Sequence, residues 1–158
     1  MKKFLILTFG LVLLSCSHDP NSLIKHLDGY WEIDEVTMAD GTKREYTYND
    51  TVDYFSITDS LTGFRKKMKP NFNGTYTTSD DSEELELKIE NDSLHIYYTT
   101  PFANWKETVL EATEEKLLII NDQKTKYLYK RFEPITVEKS ISLSAEKPTK
   151  TIIQNGKT

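Results

Sequence analysis

Glu84-Leu85-Glu86-Leu87-Lys88-Ile89-Glu90-Asn91-Asp92-Ser93-Leu94-His95-Ile96-Tyr97-Tyr98 alternates polar and apolar residues along two arms that meet at Asn91-Asp92. Successive side chains of a strand point to opposite faces. Leu85, Leu87 and Ile89 therefore share one face of the first arm, and Leu94, Ile96 and Tyr98 share one face of the second. Asn and Asp tolerate the positive φ of a two-residue hairpin turn. The stretch predicts an antiparallel hairpin with one apolar face, and the rest of the chain repeats its grammar.

Working outward, short β-runs follow one another at Tyr30–Met38, Lys43–Tyr48, Asp53–Thr58, Gly63–Lys69, Gly74–Ser79, Glu84–Glu90, Ser93–Thr99, Trp105–Ala112, Lys116–Asn121 and Lys126–Phe132. Turn chemistry separates them, and connections this short favour hairpins over parallel crossovers. Trp105, Glu107 and Val109 share a parity, as do Tyr127, Tyr129 and Arg131. In the first run Trp31 and Ile33 share one parity and Val36 and Met38 the other, which a β-bulge near Asp34-Glu35 would reconcile. Ahead of the strands, Leu23, Ile24 and Leu27 have helical spacing behind the capping types Asn21 and Ser22. The expected fold is all-β, with about 8–10 antiparallel strands and a short N-terminal helical turn. A closed meander or a sandwich both satisfy that pattern.

Composition narrows the function classes. The chain has 158 residues, a formal charge of −5 and a single cysteine. That length suits one domain, and the lone thiol excludes an internal disulfide or a multi-cysteine metal site. An acidic balance argues against a nucleic-acid binder, which needs a basic footprint. His18, His26 and His95 are scattered, and no Gly-x-Ser-x-Gly or phosphate-cradling glycine loop occurs. No catalytic residue, metal site or cofactor is expected.

The N-terminus carries a different signal. Lys2 and Lys3 precede an apolar run from Phe4 to Leu14, too short to span a bilayer but the length of a signal-peptide core. It leads into Leu13-Leu14-Ser15-Cys16, and Cys16 is the chain's one cysteine. This resembles the lipobox of bacterial lipoproteins. The resemblance implies a signal peptide over residues 1–15, lipidation of Cys16 by palmitate-type chains, and a lipidated tether over residues 16–22. Ser17 stands where that family places an aspartate for inner-membrane retention, which implies an outer-membrane site in the cell envelope of a Gram-negative cell, in either leaflet. Processing would remove two lysines and no acid, leaving the mature chain two units more acidic.

Leu27-Asp28-Gly29-Tyr30-Trp31-Glu32-Ile33 places Gly-x-Trp at the start of the first strand, and Arg131 lies near the end of the last. This pairing resembles the lipocalin barrel floor, in which an arginine packs over the motif's tryptophan. A guanidinium over an indole gains about 0.5–2 kcal/mol. The chain has neither a mid-chain Thr-Asp-Tyr motif nor a long C-terminal helix, so the resemblance is to lipocalin-like domains of small bacterial lipoproteins. It implies an up-and-down barrel over residues 23–134, with Gly29, Trp31 and Arg131 as its floor. Residues 135–158 then form an exposed C-terminal tail.

An eight-stranded barrel has interior room for one small ligand. Tyr46, Tyr48, Phe55, Phe64, Tyr76, Tyr127 and Tyr129 are the candidate lining residues. A core filled by these rings and a ligand cavity both fit the sequence, so two functions stand side by side. One is a non-catalytic lipoprotein holding a small apolar or amphiphilic molecule. The other is a protein- or glycan-interaction module with a filled barrel. Arg65-Lys66-Lys67-Met68-Lys69 reads as a strand with a charged outer face, with Phe64 and Met68 on the alternate parity; an anion-binding patch is the sharper alternative. Asp80–Glu84 reads as a solvated loop. Asp50-Thr51-Val52, Asp59-Ser60-Leu61 and Asp92-Ser93-Leu94 resemble short O-glycosylation sites of exported bacterial proteins.

Overall fold

The structure is a computed structural model, described over residues 19–134. The signal segment, the first three tether residues including Cys16, and the tail from Ile135 lie outside the described residues. One helical turn, α1 (Asn21–Ile24), precedes ten strands: β1 (Gly29–Thr37), β2 (Lys43–Glu45), β3 (Val52–Ile57), β4 (Thr62–Pro70), β5 (Tyr76–Thr78), β6 (Glu83–Glu90), β7 (Ser93–Thr99), β8 (Asn104–Ala112), β9 (Lys116–Asn121) and β10 (Lys126–Arg131). Every run expected from the alternation contains a strand, though those at Lys43–Tyr48 and Gly74–Ser79 hold only three strand residues each.

The strands pair in the order β10-β9-β8-β7-β6-β4-β3-β1, and β10 pairs antiparallel with β1, from Trp31 opposite Arg131 to Thr37 opposite Lys126. That last pairing closes an eight-stranded antiparallel barrel, so the sheet has no long free edge. The short strands β2 and β5 pair with β1 and β4 respectively. Register between β1 and β10 slips between Ile33 and Glu35, the bulge that the parity conflict requires. It puts Val36 opposite Tyr127, on the face that Trp31 and Arg131 share, and Val36 is buried. A second slip, between Val109 and Glu111, lets both Val109 and Ala112 reach the core.

Hairpin turns at Leu61 and Asn91-Asp92 and the β8–β9 turn lie at the end closed by α1. The loops after β1, β4, β5, β7 and β9 lie at the other. The closed end is packed solid by Leu23, Leu27, Trp31, Phe55, Leu85, Leu87, Leu94, Ile96, Leu117 and Ile119, all buried. Burying each such side chain is worth about 1.5–3 kcal/mol. The α1 cap departs from expectation: the side chain of Asp19, not Asn21 or Ser22, accepts the first free N–H, that of Asn21, at 3.0 Å.

Candidate functional site

The floor is the best-ordered polar feature of the closed end. Arg131 lies 3.7 Å from the Trp31 ring centroid. Its guanidinium donates to the carbonyls of Glu114, Asp28 and His26 at 2.8, 2.7 and 2.8 Å. The indole N–H of Trp31 donates to Leu27 O at 2.8 Å. Gly29 sits at φ +111°, and a Cβ there would stand 2.8 Å from Arg131 Nη1. The glycine is required twice, by backbone conformation and by the arginine's approach. The Arg ties the segment between the helical turn and β1 to the β8–β9 turn, as a plug across the closed end.

The open end is built differently. Cross-strand pairing sets Trp31 opposite Asp53 and Phe55 opposite Arg65, so Asp53 and Arg65 follow Trp31 and Phe55 to the inner face. Arg65 is almost fully enclosed. Its guanidinium carbon lies 4.3 Å from the Tyr98 ring centroid and 5.8 Å from that of Phe55. Its Nε donates to the carboxylate of Glu83, and its Nη1 lies 3.4 Å from both Glu107 Oε2 and the Tyr98 hydroxyl. Burial opposes its charge, but Tyr98, Glu83 and Glu107 outweigh burial and hold its pKa well above the ordinary arginine value. Burial also raises the Glu107 carboxyl, with Arg65 and Tyr98 pulling the other way. The hydroxyls of Tyr98 and Tyr129 are pushed far up, chiefly by burial.

Above this layer two hollows open at the mouth. One, of about 470 Å³, is walled by Trp105, Tyr127 and Tyr129 with Asp53, Glu107 and Asn121. The other, of about 890 Å³, lies between β4 and the loops at Asp80–Ser82 and Thr100–Phe102. It exists because β4 changes partner: Thr62–Arg65 pair with β6, whereas Met68–Pro70 pair with β5. Arg65 and Lys67 line both hollows. Lys67 Nζ stands 2.6 Å from Asp53 Oδ1.

The expected lining set divides. Tyr127 and Tyr129 line the mouth. Phe55 points inward but is wholly enclosed by the core. Tyr46 is half-buried beside β2, with Arg44 5.0 Å from its ring centroid. Tyr48 is 81% exposed in a loop and lines nothing. Phe64 and Tyr76 belong to the outer face, since their parity is opposite to Arg65 and shared with Pro70. There Tyr76 stacks on Tyr30 at 4.7 Å, Tyr30 on Tyr54 at 4.5 Å, and Phe64 meets Tyr54 edge-on. The β4 strand is thus inverted relative to expectation. Arg65 and Lys67 face in because Glu83, Glu107 and Asp53 wait there, and Phe64 and Met68 face out. The inward Glu107, between Trp105 and Val109, was the available sign that a base must enter the barrel.

Among the described residues no group of three or more His, Cys, Asp or Glu side chains is placed to hold a metal ion. A lipocalin-like protein from Bacteroides uniformis is 13% identical in sequence with a TM-score of 0.44, the match covering 68% of this chain and 99% of that one. An uncharacterized protein from Bacteroides eggerthii is 14% identical with a TM-score of 0.43, over 66% and 98% of the two chains. No curated protein matches. Residues 27–119, more than half of the sequence and the part that runs from the floor motif into β9, match the profile of the lipocalin-like domain, and the chain belongs to that family.

Proposed function

We propose that this protein is a non-catalytic binding protein of the cell envelope, anchored through lipidated Cys16, that holds one small amphiphilic molecule at the mouth of its barrel. The observation that carries the reading is the mouth hollow walled by Trp105, Tyr127 and Tyr129 above a sealed floor. Apolar walls with a few convergent polar groups are the usual make-up of a small-molecule site. The charged layer at Arg65, Asp53 and Glu107 favours an amphiphile over a wholly apolar guest, because an apolar guest would strip water from ions and return no hydrogen bond.

Isothermal titration and Trp fluorescence with single-chain amphiphiles of different head groups test the binding. Saturable heat with one class is expected, with a Trp105-dependent change in emission; no heat with any of them overturns the reading. Fractionation of cells carrying Cys16→Ser tests the anchor: the variant is expected in the soluble fraction and the parent in membranes.

A second reading has its own support. Fourteen buried residues fill the barrel interior, and Tyr48, Phe72 and Phe102 stand exposed on loops at the open end. A protein- or glycan-interaction module with no internal ligand would use those tips, and it would show no heat with small amphiphiles.

A further inference from the structure

The mouth contains three buried or half-buried carboxylates, and they are not equally committed. Glu83 and Glu107 are both held by Arg65. Asp53 is different. Its side chain is 3% exposed and lines the smaller hollow. Its Oδ1 accepts no hydrogen bond. The ion pair it makes is with Lys67, whose Nζ stands 2.6 Å away on a side chain that is 68% exposed. A buried carboxylate oxygen left without a hydrogen bond is costly. A companion on a solvent-exposed, four-carbon arm is the one most readily exchanged.

The surroundings select the sign of what replaces it. The larger hollow has four carboxylates to three bases and the smaller has three of each, so together the rim is net acidic while the smaller hollow is balanced, and Asp53 itself is the group that favours a cation there. Trp105, Tyr127 and Tyr129 line the hollow that Asp53 enters, and aromatic rings are good neighbours for an organic cation. Phe102, 96% exposed, lines the adjoining hollow and offers an apolar surface to the remainder of the guest.

We infer that the mouth takes an organic ammonium with an apolar body, its –NH₃⁺ group displacing Lys67 from Asp53 and its apolar part lying toward Phe102. This inference rests on the reading of the mouth as a ligand site and adds the chemical class. The shared chemistry has two sources, a free alkylamine and the amine head of a single-chain lipid.

Isothermal titration of the folded barrel with octylamine, octanol, octanoate and lysophosphatidylethanolamine tests it. Octylamine is expected to bind at least tenfold more tightly than octanol, and octanoate more weakly still. Asp53→Asn is expected to lose at least tenfold for the amines and little for octanol. Lys67→Gln removes the internal competitor from an exposed position, keeps the fold, and is expected to bind octylamine several-fold more tightly. If the lipid binds more tightly than octylamine, the amine is read from a head group; if the reverse, from a free amine. Either order requires the Asp53→Asn loss. Octanol or octanoate binding as tightly as octylamine overturns the inference and leaves the ligand site standing. Unchanged or weaker octylamine binding in Lys67→Gln overturns it as well. No binding by any of the four overturns both.

Discussion

Arg131 fastens as well as covers. Its three hydrogen bonds reach two carbonyls between the helical turn and β1, those of His26 and Asp28, and that of Glu114 on the β8–β9 turn. Hydrogen bonds to a charged donor are worth about 1.5–3 kcal/mol each at most, and they are not additive. Arg131→Ala is therefore expected to cost about 2–4 kcal/mol in urea unfolding, including loss of the cation–π contact. Arg131→Lys should recover less than half, because an ammonium cannot reach three divergent carbonyls and lie flat on the indole. Equal stability of the lysine variant and the parent would show that charge alone holds the floor. This motif was legible in the sequence because its three residues sit at fixed places, the start of the first strand and the end of the last. Asp53 was not legible. Nothing local marks an aspartate that a register of Trp31 opposite Asp53 carries inside.

At the scale of elements, the strands were legible because period-two alternation and turn residues are local signals, and the β1 bulge announced itself as a parity conflict. The face of β4 was not legible. Phe64-Arg65-Lys66-Lys67-Met68 has alternate positions of opposite character, and hydrophobicity alone sends Phe64 inward. Non-local pairing decides otherwise: Arg65 joins β4 to Glu83 of β6, Tyr98 of β7 and Glu107 of β8, and the outer aromatic cluster receives Phe64. This four-strand tie makes a testable pH signature. Burial raises the Glu107 carboxyl above its ordinary value. Between the ordinary and the raised value the folded protein holds a proton that the unfolded chain has released, so stability falls as pH rises through that window. Its contribution is complete below the ordinary value and lost above the raised one. Glu107→Gln is always neutral and lacks this slope. The parent's Tm minus that of Glu107→Gln should therefore decline as pH rises above the ordinary carboxyl value. A flat difference, or one rising with pH, would show Glu107 is not held toward its protonated form.

The whole molecule has a direction. Asp19 and α1 belong to the closed end, and only Ser17 and His18 separate Asp19 from Cys16, a reach of about 10 Å. Strand β4 has nine residues, which at about 3.3 Å each and a tilt near 40° put the mouth roughly 20 Å farther along the barrel. Anchoring at Cys16, as proposed, therefore holds the floor against the bilayer and points the mouth away from it. A ligand would then arrive from the aqueous side, and the acidic rim would stay clear of anionic head groups, where charges within about 10 Å repel. Fluorophores placed on the lipidated protein at Ser60→Cys, in the exposed β3–β4 turn at the closed end, and at Phe72→Cys, on the β4–β5 loop at the open end, read this out. With quencher-bearing lipids in the bilayer, the Ser60 position should be quenched strongly and the Phe72 position little. The reverse order would mean that the exposed tips Tyr48, Phe72 and Phe102 meet the membrane instead, with the chain folded back along its tether and the mouth loading directly from lipid.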